Sequence, residues 1–189
     1  QNSQRWEVFR YNNFVHNTLT VNGQLQRVDG KAEMISSSST PLFMNAVMDL
    51  APVYSGQLTE AKRGVAIADN KYVIVRDEIQ PASDNTTVRW TMLTSASVNI
   101  TGPGMAELTK NNRKLIIKVN QPASVTMKTW STDPPHDYDA PNPGTILVGF
   151  EIVVPAGKTT SVEVLLIPGN TDPSSVTGKG ELKNWPAVK

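Results

Sequence analysis

The chain has 189 residues, 18 basic against 17 acidic for a formal net charge of +1, and no cysteine. That balance offers no global field to nucleic acid or an anionic membrane, and it excludes disulfide and thiol chemistry. The length allows one sizeable core, no apolar run approaches a membrane span, and the polar QNSQ opening without Met reads as an excised or processed piece of something longer.

Residues 1–11 hold Trp6, Val8 and Phe9 without a clear period. Over residues 18–22, Leu19 and Val21 alternate with Thr18, Thr20 and Asn22, the pattern of a half-buried strand. Asn22-Gly23 then supplies a tight hairpin turn, since both residues tolerate positive φ. His16 is one of only two histidines and stands just before or at the start of this strand, which fixes its side chain. Strands are predicted next over 32–37 and 43–50, with the serine run 36–39 facing water. Residues 58–67 and 72–79 flank Asp69-Asn70 and read as a hairpin.

Residues 86–95 alternate well, with Val88, Trp90 and Met92 on one side and Arg89, Thr91 and Leu93 on the other. Short strands at 98–100 and 107–109 surround Gly102-Pro103-Gly104, and 113–119 follows the Lys110-Asn111-Asn112 turn as a further hairpin. Residues 123–130 form the next strand. The stretch 131–144 carries four prolines in fourteen positions and must be a loop. Two strong strands, 145–154 and 159–167, are joined at Pro155-Ala156-Gly157, and a turn-rich tail follows in which Trp185 docks back onto the body. No window has helical period and no internal repeat occurs. Roughly ten to twelve short strands with frequent turns predict an all-β fold, an antiparallel β-sandwich or stacked sheets. The sandwich is assigned to residues 1–168 and the packed tail to 169–189.

Few residues carry chemistry. His16 has the character of a metal ligand or proton relay, but spacing alone favours a hydrogen-bonded structural histidine, with no second His or Cys at ligand spacing. His136 lies beside Asp133, Asp137, Tyr138 and Asp139 in the proline loop, where a solvated role is expected. Asp77 and Glu78 are adjacent on a strand and point to opposite faces, so they do not form a carboxylate pair. Arg63 and Arg76 are placed to face each other across the 69–70 hairpin, as solvated surface groups or as partners for a sugar carboxylate or sulfate. Trp90 and Trp130 are assigned to core packing, while Tyr11, Tyr54, Tyr138 and Trp185 in turns or loops are able to stack on a sugar ring. No phosphate loop or nucleophile elbow is present.

The run Arg10-Tyr11-Asn12-Asn13-Phe14-Val15-His16-Asn17-Thr18-Leu19-Thr20-Val21-Asn22-Gly23, with Gln26 after it, resembles the HNT signature of the heparinase II/III-like polysaccharide lyases. The resemblance continues through Asp49-Leu50, Arg63-Gly64-Val65, residues 72–79, Val88-Arg89-Trp90-Thr91-Met92 and the DPPHDYDAPNPG segment. It implies a two-part enzyme, with an N-terminal (α/α) toroid and a C-terminal stack of antiparallel sheets forming the two walls of a cleft. Such enzymes cleave uronate-containing chains by β-elimination, using a Tyr and a His or Asn. In several members the HNT histidine joins an upstream His and Asp on zinc, and His16 matches that position. Asn17 and Thr18 match the motif and are expected to fix the local turn and strand.

The toroid, the upstream His and Asp, and the family's tyrosine are not in this chain. It is therefore expected to be inactive alone and to hold no zinc by itself, zinc being the cofactor implied for the full-length protein. A sheet cut from its upstream part is expected to leave an edge open to pairing with another copy. The partners implied are a uronate-containing polysaccharide and the toroid of the same polypeptide, with no nucleic acid or membrane, in a bacterial periplasm or outside the cell. Two other readings stand beside the lyase domain: a non-catalytic carbohydrate-binding sandwich and a purely structural module.

Overall fold

A computed structural model describes residues 5–187 of the chain. Residues 1–4 of the opening patch and the last two residues of the tail lie outside the described residues. Among the described residues, twelve strands run in the order β1 (Leu19–Val21), β2 (Glu33–Ser38), β3 (Phe43–Asp49), β4 (Leu58–Ala68), β5 (Tyr72–Pro81), β6 (Thr86–Thr94), β7 (Ser97–Gly102), β8 (Met105–Lys110), β9 (Arg113–Gln121), β10 (Lys128–Trp130), β11 (Ile146–Val154) and β12 (Thr160–Pro168). They make two antiparallel sheets, one of four strands in the order β1-β6-β11-β10 and one of eight in the order β2-β3-β4-β5-β12-β9-β8-β7. The all-β fold is as the sequence predicts.

Turn chemistry closes the hairpins. Asp69 and Asn70 both take positive φ (54° and 55°) between β4 and β5, and Asn111 and Asn112 (50° and 59°) do so between β8 and β9. Asn22 and Gly23 take the same geometry (49° and 65°) yet close no hairpin. Instead β1 pairs with β6, Leu19 opposite Trp90 and Val21 opposite Val88. The Thr87 N–H donates to Asn22 Oδ1 at 2.9 Å, and the Asn22 N–H donates to the Thr87 carbonyl at 2.8 Å. The turn thus locks β1 to β6 and releases the chain into a loop. β1 is also buried on both faces rather than half-buried, because the N-terminal segment reaches Thr20 from outside.

Pro155-Ala156-Gly157 likewise joins strands that do not pair: β11 belongs to the small sheet, and β12 lies between β5 and β9 in the large one. The predicted strand over 123–130 shortens to β10, with Val125 and Met127 buried in irregular chain before it.

Two apolar clusters follow from this arrangement. Between the sheets lie Leu19, Val21, Tyr54, Ile79, Trp90, Phe150 and Val164, with Trp90 stacked on Phe150 at 5.8 Å and 11°. On the other face of the large sheet, Val47, Ala66, Ile74, Leu165 and Ile167 are covered by Val176, Leu182 and Trp185 of the tail. Trp185 is buried edge-on to Phe43 at 5.2 Å. Gly64 makes room for it, since a Cβ there would lie 2.6 Å from Trp185 Cζ3. Through these side chains the tail packs on the large sheet.

Candidate functional site

The segment before β1 folds as three single 3-10 turns, Arg5–Glu7, Phe9–Tyr11 and Asn13–Val15. Amide side chains hold it, because so short a helix leaves most of its backbone groups unpaired. Asn12 Oδ1 accepts the Phe14 N–H at 3.0 Å and caps the third turn. Buried Asn13 donates to Thr20 Oγ1 at 3.3 Å and to the Gln24 carbonyl at 3.1 Å, while its Oδ1 accepts the Gln26 N–H at 3.0 Å. Asp139 of the proline loop accepts the Phe9 N–H at 3.0 Å. Together these contacts shape a cleft of about 730 Å³ whose lining includes Arg10, Tyr11, His16, Asn17, Leu93 and Asn142.

His16 closes the third turn and stands three residues before β1, so the strand does not hold its ring. Its Nε2 lies 3.1 Å from the Arg10 carbonyl oxygen. A carbonyl only accepts, so Nε2 carries the proton and the Nδ1 lone pair is the ring's remaining functional atom. Asn17 and Thr18 fix their surroundings by hydrogen bonds, but across the fold rather than within the turn. Asn17 Oδ1 accepts the Leu93 N–H at 2.8 Å, and Thr18 Oγ1 meets Tyr54 Oη at 3.0 Å and Gln26 Nε2 at 3.2 Å.

A polar layer supports the cleft floor. Arg63 makes a two-point ion pair with Asp77, Nε to Oδ1 at 2.6 Å and Nη2 to Oδ2 at 2.9 Å, and donates through Nη1 to the Asn17 carbonyl at 3.0 Å. Burial pulls the Arg63 guanidinium down, but the charge and hydrogen bonds of Asp77 outweigh it and hold Arg63 above its ordinary value. Tyr54 Oη donates to the Leu19 carbonyl at 3.0 Å and accepts from Gln26 Nε2 at 2.7 Å. Burial raises the Tyr54 hydroxyl above its ordinary value, against the opposing contacts of Thr18, Arg63 and Gln26.

Several sequence expectations are corrected here. Arg63 and Arg76 do not face each other, because Arg63 lies opposite Asp77 in the β4–β5 register while Arg76 lies opposite Gly64 and points to the other face. Neither is a solvated surface group. Buried Arg76 binds Glu78 at 2.9 Å, Glu163 at 3.1 Å, Gln121 at 3.0 Å and Ser161 at 2.8 Å beneath the tail. Asp77 and Glu78 do point to opposite faces, one toward Arg63 and the other toward Arg76. Tyr54 and Trp185 are buried, so neither can stack on a sugar, whereas Tyr11 and Tyr138 are exposed. Trp130 is not core: it lies under the Arg89 guanidinium at 5.4 Å on the outer face of the small sheet. His136 stacks on Tyr138 at 4.9 Å in the exposed part of its loop, away from the lining of the His16 cleft, while Asp139 is buried. Sequence reasoning gave Tyr54 a sugar-stacking role rather than this buried one, and it singled out neither Asn13 nor the Arg63–Asp77 pairing; a polar residue inside or beside an apolar run was the available signal.

Zinc needs at least three protein ligands, and His16 offers one nitrogen. Among the described residues no group of three or more His, Cys, Asp or Glu is placed to hold a metal. These residues alone do not fit the ion. Among the described residues, no helix is long and apolar enough to cross a membrane.

No family model matches the sequence, and no curated protein matches it. Solved structures do match. A crystal structure of heparinase III is 17% identical, with a TM-score of 0.65 over 84% of this chain and 24% of its own. A second heparinase III, with methylated lysines, is 14% identical at a TM-score of 0.68, over 86% of this chain and 25% of its own. The heparan sulfate lyase HepC from Pedobacter heparinus is 18% identical at a TM-score of 0.62, over 82% and 24%. The chain thus spans about a quarter of the length of the structures it matches. Its two sheets have the fold of a heparinase III-like β domain.

Proposed function

We propose that this chain is the C-terminal β-sheet domain of a polysaccharide lyase that cleaves uronate-containing glycans by β-elimination, and that it supplies one wall of the cleft. The observation that carries the reading is His16, whose Nδ1 is left with a lone pair by the Nε2 contact to Arg10, lining an open cleft beside Arg10 and Asn17. The fold shared with heparinase III structures supports it.

In β-elimination the C5 proton passes to a base, and its electron pair forms the C4–C5 double bond. The C4–O bond breaks, and the departing oxygen takes up a proton. With Nε2 committed to the Arg10 carbonyl, His16 passes such a proton at Nδ1. Arg10 provides the positive charge that suits a uronate carboxylate. The Arg63–Asp77 pair and Tyr54 are positioning residues, which hold the Asn17 carbonyl and the Thr18 hydroxyl beside the ring. The opposite wall is assigned to an upstream toroid of the same polypeptide, and the place of action to the periplasm or the cell exterior.

The test is elimination by the polypeptide that joins this domain to its toroid. Absorbance of unsaturated uronate is followed on heparan sulfate, chondroitin sulfate, hyaluronan and alginate. We expect product from one of the four and a loss of roughly 100-fold or more in His16→Ala. Absence of product from all four, or full activity in the variant, would overturn the reading.

A further inference from the structure

The His16 cleft does not end at Tyr11. A second cleft of about 240 Å³ shares Tyr11, Asn12, Asn13 and Gln26 with the first, so Tyr11 is a ridge between them. Beyond the ridge the lining turns apolar, with Trp6, Leu25, Val28 and Val53. Gly30 keeps this floor tight against the next loop, since a Cβ there would lie 2.6 Å from the Pro52 carbonyl oxygen. Trp6 is 40% and Tyr11 55% exposed, unusual for large rings on one short segment. The Arg5 guanidinium carbon lies 5.1 Å from the Trp6 ring and 5.6 Å from the Tyr11 ring.

That contact has a chemical consequence. Stacking uses the faces of a guanidinium, while its N–H donors lie in the plane, so a stacked arginine still binds an anion along its edge. Arg27, the guanidinium that lines the second cleft, is occupied by Asp29 through contacts of 2.9 Å and 2.8 Å, and Arg5 stands against the Trp6 and Tyr11 rings of that lining. Asn13 has its amide committed to the backbone fold. What remains is two exposed rings, an apolar floor and one guanidinium edge. The ring faces turned away from Arg5 pack on the C–H face of a sugar, and the guanidinium edge pairs with its anionic group.

We propose that this second cleft is a glycan subsite, in which Trp6 and Tyr11 hold a sugar ring and Arg5 its carboxylate or sulfate. A linear anionic glycan in the His16 cleft crosses Tyr11 and continues into it. The identity of the glycan rests on the lyase reading; the subsite rests on the rings and the arginine.

The test is calorimetric titration of the chain with three oligosaccharides: an unsulfated uronate-containing one, its sulfated counterpart and a neutral glucan. Saturable binding of the anionic pair is expected. Trp6→Ala and Tyr11→Ala, both at exposed positions, should each weaken it about threefold to tenfold. Arg5→Gln should weaken the anionic ligands and leave the glucan unchanged. Equal weakening for both anionic ligands identifies the carboxylate as its partner, and weakening confined to the sulfated one identifies the sulfate. Circular dichroism of each variant checks that the fold persists. Absence of saturable binding, or wild-type affinity in both ring variants, would overturn the subsite. Elimination by the longer polypeptide separates the two proposals. Cleavage with wild-type binding in the ring variants removes only the subsite; ring-dependent binding without cleavage removes only the lyase.

Discussion

Replacing Arg63 by Met removes the charge that faces Asp77 while keeping a side chain of similar reach. The Asp77 side chain is 0% exposed and that of Arg63 15%, so water cannot take over the lost contacts. The two N–H donors at 2.6 Å and 2.9 Å go, as does the donor to the Asn17 carbonyl. Breaking a buried pair from one side costs about 3–5 kcal/mol, because the remaining charge is uncompensated. A typical domain has a total stability of roughly 5–15 kcal/mol, so the change is large but measurable. The double variant Arg63→Met/Asp77→Leu should recover most of the loss, since an apolar pair of similar volume needs no partner charge. Urea denaturation of the three proteins, compared at unchanged m, reads these differences as midpoint shifts. The reasoning fails if Arg63→Met stays within about 1 kcal/mol of wild type, well below the buried-pair cost. It fails equally if the double variant is no more stable than the single.

Three further outcomes follow from the packing. Tyr54→Phe should cost about 1–3 kcal/mol, since it leaves buried partners of the hydroxyl unpaired. The Tyr54 hydroxyl is raised above 10.0 by burial, so the unfolded chain ionises first. Its contribution is complete below pH 10.0 and is lost as pH rises through the folded-state value, and Tyr54→Phe should flatten that alkaline limb in denaturation curves. Trp185→Ala should cost about 3–5 kcal/mol. Hydrogen exchange should show its effect first in the tail and in β3, which Trp185 covers through Phe43. Gly149→Ala places a Cβ against the Trp90 carbonyl oxygen, and it should abolish the β6–β11 pairing or prevent folding, seen as loss of a cooperative transition.

The strands were legible because their signals are local. Alternation in residues 86–95 and paired Asp/Asn residues at 69–70 and 111–112 each lie within a few residues of the feature they specify. Pairing is not local. Asn22-Gly23 has the geometry of a hairpin turn, yet β1 finds β6 more than sixty residues away. The burial of Arg63 and Arg76 was illegible for a related reason. A charged residue in an alternating strand reads as solvent-facing until the strand beside it supplies Asp77, and the strand beyond that supplies Glu163. His16 was found through its motif, but its tautomer depends on Arg10, and the cleft depends on Asn12, Asn13 and Asp139 holding a segment of 3-10 turns without helical period.

The chain has only two histidines, which makes the cleft directly observable by NMR. Ring-proton resonances of His16 and His136 are assigned with His16→Ala, and an unsulfated uronate oligosaccharide is titrated into the wild-type chain. If the cleft beside Arg10 and Asn17 receives the glycan, the His16 ring shifts saturably while His136, stacked on Tyr138, stays in place. Saturable binding that leaves His16 unmoved, or that moves His136 alone, would contradict the placement of the substrate wall.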